Sequence, residues 1–128
     1  MPPPATGRTI KGNELGILWL PVVYPGFSWD NLQKLPPGTS LIPRRRGQFL
    51  WEQFHTLSQL GADSVCMAMF DEVDEGTAIF KVTDQPPTQG HFVTYEGMPS
   101  DWYLRLVGKA TELLHSHRPI GGDIPLAP

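Results

Sequence analysis

The chain has 128 residues, 10 Lys and Arg against 13 Asp and Glu, and a formal net charge of −3. With 40% hydrophobic and 18% charged residues it can build one core, which excludes wholesale disorder; the acidic balance gives no electrostatic reason for nucleic acid or an anionic membrane as partner. A single cysteine, Cys66, excludes an internal disulfide and a multi-thiolate zinc site, and 14 Pro with 13 Gly exclude an all-helical bundle.

Residues 1–14 open with three consecutive prolines, show no periodicity and read as a flexible lead-in. Neither a signal-peptide pattern nor a run of roughly 18 apolar residues is present. The default location on that reading is cytoplasmic. Leu15 to Tyr24 (LGILWLPVVY) is nearly continuously apolar and predicts a strand buried on both faces, as in a parallel sheet. Pro21 cannot donate to a ladder, so the strand bulges or ends there. Pro25 to Gly38 is a long loop carrying Trp29, Asp30 and Asn31.

Pro43 opens a predicted helix reaching about Leu60. Leu50, Phe54 and Leu57 fall at i, i+4 and i+7; Phe49, Trp51 and Leu60 widen the stripe, and Gly61 stands at the C′ position. Ser64 to Phe70 (SVCMAMF) predicts a second apolar strand with Cys66 as a small core residue, followed by an acidic loop from Asp71 to Gly76. Thr77 to Val82 and His91 to Tyr95 are short strand candidates around the turn Gln85 to Gly90. A last helix starts after Pro99, with Ser100 or Asp101 as N-cap, and keeps a stripe of Tyr103, Leu106, Val107, Ala110 and Leu114 to about His115. Residues 119–128 read as a loose tail.

Strand, loop, helix, strand, loop, strand, helix is an α/β pattern with parallel crossovers. A flavodoxin-like sheet needs about five strands and a closed (β/α) barrel about 250 residues, so the chain fits a partial (β/α) barrel of about three β/α units, over residues 15–118.

Four carboxylates crowd into Asp71-Glu72-Val73-Asp74-Glu75, directly after a buried strand. Active sites of parallel α/β folds lie at such strand ends. Glu72 and Glu75, three apart, can aim at one cleft, and a carboxylate pair in one cleft is what glycosidic cleavage requires. A solvated acidic turn is the plain alternative, and a divalent-cation site a further one, although the spacing is not that of an EF-hand loop. The loop Tyr24-Pro25-Gly26-Phe27-Ser28-Trp29-Asp30-Asn31 follows the first strand and should open on the same face. Its rings beside Asp30 and Asn31 suit stacking on a pyranose and hydrogen bonding to its hydroxyls, or else Phe27 and Trp29 plug the core. Arg44-Arg45-Arg46 opposes a helix dipole, so one arginine is expected to hold a carboxylate near the site, unless the run is merely solvated. No histidine pair has metal-ligand spacing. Neither cofactor nor metal is expected.

PGFSWDNL, followed by PRRRGQFLWEQFHTLSQLGADSVCMAMFDEVDEGT, resembles the C-terminal part of the catalytic barrel of glycoside hydrolase family 71/99-like proteins. That group includes endo-α-mannosidases and bacterial proteins labelled xylosidase/arabinosidase. The resemblance covers about Leu15 to His115; its most specific pieces are F-[DN]-E-x-x-E-G-T, here Phe70 to Thr77, and the PGFSW loop. It implies that Glu72 and Glu75 are the catalytic pair of a retaining route in which the sugar's own 2-hydroxyl attacks the anomeric carbon. Glu72 would assist deprotonation of that hydroxyl; Glu75 would protonate the leaving group and then activate water. Tyr24, Trp29, Asp30, Asn31, Asp71 and Arg46 would bind the carbohydrate. Mannosidases of the group carry Asn before the first glutamate and Trp after it, where this chain has Asp71 and Val73. The resemblance extends over only about the last three barrel units. A fragment, a truncated reading frame, or a half-barrel that self-associates or meets a missing N-terminal half is therefore expected, with an unpaired edge along Leu15 to Tyr24.

Overall fold

In the computed structural model, residues 15–128 are described. The lead-in expected over 1–14 lies outside them. The strands are β1 (Val22–Val23), β2 (Phe27–Ser28), β3 (Leu41–Ile42) and β4 (Cys66–Met67). The helices are α1 (Gln48–Gln59) and α2 (Trp102–His115), with a 3₁₀ turn at Arg45–Gly47 before α1. β1 and β4 pair in parallel, Val22 opposite Cys66 and Val23 opposite Met67, and α1 makes the crossover between them. β2 and β3 pair antiparallel, Phe27 opposite Ile42. The predicted strand–helix–strand unit is therefore present, as a small α/β core.

The first strand is shorter than the sequence predicts. Pro21 has no N–H, but its carbonyl accepts the Cys66 N–H at 2.8 Å, and the ladder begins there. Upstream, Leu18 is 83% exposed. The expected burial on both faces is reduced to one: Val23 is fully buried, whereas Val22 is 58% exposed. Cys66, opposite Val22, shares the uncovered face and is exposed rather than a core residue.

Helix α1 starts at Gln48, not near Pro43. Arg45, Arg46 and Gly47 have φ of 49°, 54° and 96°, a left-handed run that no α-helix can pass through. Its buried face is Leu50, Trp51 and Phe54, and Gly61 follows with φ 72°. The second helix begins as predicted, with Asp101 as N-cap, and buries Trp102, Tyr103, Leu106, Ala110 and Leu113. The two faces meet in one core with Val23, Ile79, Tyr95 and Met98. Both core tryptophans find acceptors for their indole N–H: Trp51 donates to the Gly121 carbonyl at 3.0 Å and Trp102 to the Arg46 carbonyl at 2.9 Å.

Thr77 to Val82 and His91 to Tyr95 form no strand. In the first of these segments, carbonyls that a ladder would use are taken by side chains: Arg44 holds those of Gly76 and Ala78, and the Tyr95 hydroxyl donates to those of Ala78 and Phe80. The C-terminal residues, expected to be loose, make specific contacts. Ile120 is buried, Ile124 and Leu126 pack on the core, and Arg105 donates to the Ala127 carbonyl at 2.7 Å. No helix among the described residues is long and apolar enough to cross a membrane.

Candidate functional site

Both loops singled out in the sequence leave the C-terminal ends of the parallel pair, and the structure ties them together. The chain turns back after Phe70, so that Met69 N–H donates to the Thr77 carbonyl and Ile79 N–H to the Phe70 carbonyl. Inside that return, Thr77 N–H donates to the Glu72 carbonyl at 3.1 Å and Gly76 N–H to the Val73 carbonyl at 3.2 Å. Gly76 has φ 65°, and a Cβ there would stand 2.7 Å from Val93 Cγ2, so only glycine closes the turn without displacement. From the other loop, Ser28 N–H donates to the Glu75 carbonyl at 2.8 Å, and Asn31 Nδ2 donates to Asp74 Oδ1 at 2.8 Å.

Within this junction the predicted residues take different parts. Glu72 is half-buried, and its Oε1 accepts the Asp74 N–H at 2.9 Å, which orients the carboxylate. Glu75 is half-buried, and among the described residues its carboxylate takes no hydrogen bond. Asp71 is exposed. Trp29 is 39% exposed and packs edge-on against Phe27, with ring centroids 5.4 Å apart, leaving ring surface to solvent. Asn31 is half-buried and bridges: its Oδ1 also accepts the His91 N–H at 3.1 Å.

Three predicted binders are otherwise engaged. Asp30 is 2% exposed, and its two carboxylate oxygens accept the N–H groups of Gly38 (2.7 Å) and Ser40 (2.8 Å). It closes its own loop, and no oxygen points out for a sugar. Tyr24 packs edge-on against Phe49 at 5.2 Å, and its backbone N–H and carbonyl are both held by the Gln53 side chain. Arg46 lies against Glu96 and Met98: its N–H donates to Glu96 Oε1 at 3.1 Å and its Nε lies 3.2 Å from Met98 Sδ.

The arginine at the acidic loop is Arg44, which the sequence reading passed over. It is 2% exposed, and its Nη2 donates to the Gly76 carbonyl at 2.9 Å and the Ala78 carbonyl at 2.7 Å. Its guanidinium lies 4.9 Å from the Tyr95 ring centroid and 4.5 Å from that of Tyr103. Burial pushes the Arg44 pKa down against the pull of both tyrosines, and burial pushes that of Tyr103 up to about 12. Arg45 instead pairs with Glu52 on the surface at 2.5 Å. The triple arginine was the visible signal; which member turns inward depends on the left-handed run at 45–47, foreshadowed only by Gly47. A cavity of about 360 Å³ lies behind the loop, lined by Arg44, Val73, Gly76, Ala78, Phe92 and Tyr95 among others. Neither Glu72 nor Glu75 lines it. Among the described residues, no group of three or more His, Cys, Asp or Glu is placed to hold a metal ion.

A parallel β–α–β unit with its two strand-end loops tied together is the building block of a β/α fold. Solved structures bear out the family likeness at the level of fold. The structure of the GH99 endo-α-mannosidase from Bacteroides thetaiotaomicron in complex with bis-tris-propane superposes with a TM-score of 0.74 at 18% identity, over 85% of this chain and 34% of that one. A second structure of the GH99 endo-α-mannosidase from that organism gives 0.70 at 20% identity, over 85% and 32%. This chain thus spans about a third of the length of these relatives. No protein-family model and no curated protein sequence matches it.

Proposed function

We propose that the chain is part of a glycoside hydrolase barrel, about three β/α units of it, acting on the glycosidic bonds of an oligo- or polysaccharide. The observation that carries this reading is the junction of the two strand-end loops, where Ser28 and Asn31 bond to the backbone and side chain of the segment bearing Glu72 and Glu75. In this reading Glu72, its carboxylate oriented by the Asp74 N–H, assists deprotonation of the sugar 2-hydroxyl as that oxygen attacks the anomeric carbon. Glu75, whose carboxylate takes no hydrogen bond among the described residues, protonates the leaving oxygen and then takes a proton from the attacking water. Trp29 offers the exposed ring for a pyranose face, and Asn31 and Asp71 the nearby polar groups. Asp30 and Arg46 serve the fold in this scheme.

A second reading has its own observation. Leu18, Leu20 and Val22, at and just before β1, are 83%, 51% and 58% exposed. A surface of that kind fits a unit that meets further barrel strands, or a second copy, before a cleft is complete. The isolated chain would then bind sugar weakly or not at all, as a non-catalytic remnant. Turnover of aryl α- and β-glycosides and of α-mannan and arabinoxylan fragments decides between the two. Hydrolysis that disappears in Glu75→Gln supports the catalytic reading; hydrolysis indifferent to that change removes Glu75 from the mechanism. A folded wild-type chain that hydrolyses none of them leaves the remnant reading standing.

A further inference from the structure

We propose that Arg44 is the positioning residue of the acidic loop, holding the peptide that presents Glu72 and Glu75. The inference rests on the reading of those glutamates as the catalytic pair and adds a residue to it. Four consecutive carbonyls, Glu75 to Ala78, are each held by a donor from elsewhere in the chain. Ser28 N–H takes that of Glu75, Arg44 Nη2 takes those of Gly76 and Ala78, and Met69 N–H takes that of Thr77. Among the described residues Arg44 is the only side chain that grips two of them, on either side of Thr77, whose N–H in turn holds the Glu72 carbonyl. A shift of the guanidinium is therefore transmitted to both glutamates through one short return.

Core stability does not explain why an arginine stands there. A buried cation without a carboxylate against it is a poor way to hold a core, and an apolar side chain of similar volume usually serves as well or better. Arg44 Nε and Nη1 are buried without a hydrogen-bond partner, as is the Tyr103 hydroxyl. The two flanking rings offset part of that cost, and only Nη2 makes directed bonds. What an apolar residue could not do is hold those two carbonyls in place. The surrounding backbone is shaped to admit the side chain. A Cβ at Gly26 would lie 2.7 Å from Arg44 Cγ, and the left-handed residues Arg45 and Arg46 swing the neighbouring arginines outward to Glu52 and Met98. Non-glycine residues at positive φ are costly and persist where surrounding structure enforces them.

The test is amide hydrogen exchange by NMR on the 128-residue chain as wild type, Arg44→Met and Arg44→Lys. In Arg44→Met the amides of Ser28 and Thr77 are expected to exchange at least about tenfold faster, while those of Phe54 and Leu106 inside the helices change by less than about twofold. Arg44→Lys, which keeps a charged donor, should recover part of the protection at Ser28 and Thr77. Unchanged exchange at those two amides in Arg44→Met overturns the proposal, and so does acceleration of all four together. If Arg44→Met does not fold, Arg44→Gln is read in the same way; failure of both to fold makes Arg44 a residue of the whole core and overturns the proposal as well. On an aryl glycoside, kcat of Arg44→Met should fall about 100-fold with KM within about threefold. A wild-type chain without turnover refutes the catalytic reading of the glutamates and leaves the exchange result to judge Arg44.

Discussion

Raising the pH from about 9 to about 12 probes the core around Tyr103. Its ring is fully buried on α2, against Tyr95 at 4.6 Å and beneath the Arg44 guanidinium at 4.5 Å. Burial raises its pKa from 10.0 to about 12, with the positive charge of Arg44 acting the other way. The folded chain therefore keeps the phenolic proton to higher pH than the unfolded chain does. The contribution to stability is fully present below pH 10 and is lost as pH rises toward about 12. Two pH units at about 1.4 kcal/mol each give a loss of roughly 3 kcal/mol across that window. That is a large fraction of the about 5–15 kcal/mol typical of a domain. Urea unfolding followed by tryptophan fluorescence at several pH values measures it, with Tyr103→Phe as comparator. The Tyr95 pKa is also raised by burial, but Tyr95 is present in both proteins, so the difference between them reports Tyr103 together with its coupling to Arg44 and Tyr95. Wild type should lose stability relative to Tyr103→Phe above pH 10. Parallel curves through pH 12 would refute the reasoning.

Gly76→Ala should destabilise by about 2–4 kcal/mol, from a left-handed alanine plus the repacking forced on Val93, read as a lower urea midpoint. The Glu112 carboxylate, held below the usual range by Lys109 and Arg118, should titrate by NMR below an unpaired glutamate. Its stabilisation is present above the ordinary carboxylate pKa and is lost as pH falls through the depressed one. Replacing Leu20 and Val22 by Glu should abolish any concentration-dependent self-association seen by size-exclusion chromatography with light scattering; an oligomer that survives the change uses another surface.

The helices were legible because their signal is local. Leu50 and Phe54 lie one turn apart, as do Leu106 and Ala110, and each pair is buried. The family likeness was legible in the run Phe70 to Thr77, where composition and order are both unusual. Roles decided by long-range partners were not. Asp30 looks like a ligand-binding acid beside Trp29, but its occupation depends on the N–H groups of Gly38 and Ser40, eight and ten residues away. Arg44 and Arg46 are chemically identical in the sequence. They are separated by the backbone hand at 45–47 and by acceptors at Gly76 and Ala78 that no local pattern announces. The strand expected over Thr77 to Val82 failed for the same reason, since its carbonyls at Ala78 and Phe80 are claimed by Arg44 and Tyr95; nothing in the structure explains why His91 to Tyr95 forms none.

The misreading of Leu15 to Tyr24 follows from a different cause. A strand apolar on both faces belongs to a sheet covered on both faces. Here α1 covers one side, where Val23 is fully buried, and the register puts Val22 and Cys66 together on the other side, exposed. Of the twelve large exposed hydrophobic residues among the described residues, five lie in Leu15 to Val22 and three in Met69 to Val73, at the two segments that flank the β1–β4 pair. Scattered apolar exposure is ordinary, but its concentration in the two segments beside one strand pair is not. The sequence thus encodes a burial that the described residues do not themselves supply, and the chain spans only a third of the relatives that share its fold. Both facts bear on the same question for activity. In the proposed reading, Glu72 and Glu75 follow the C-terminal end of β4, one of the two strands that carry this exposed apolar surface.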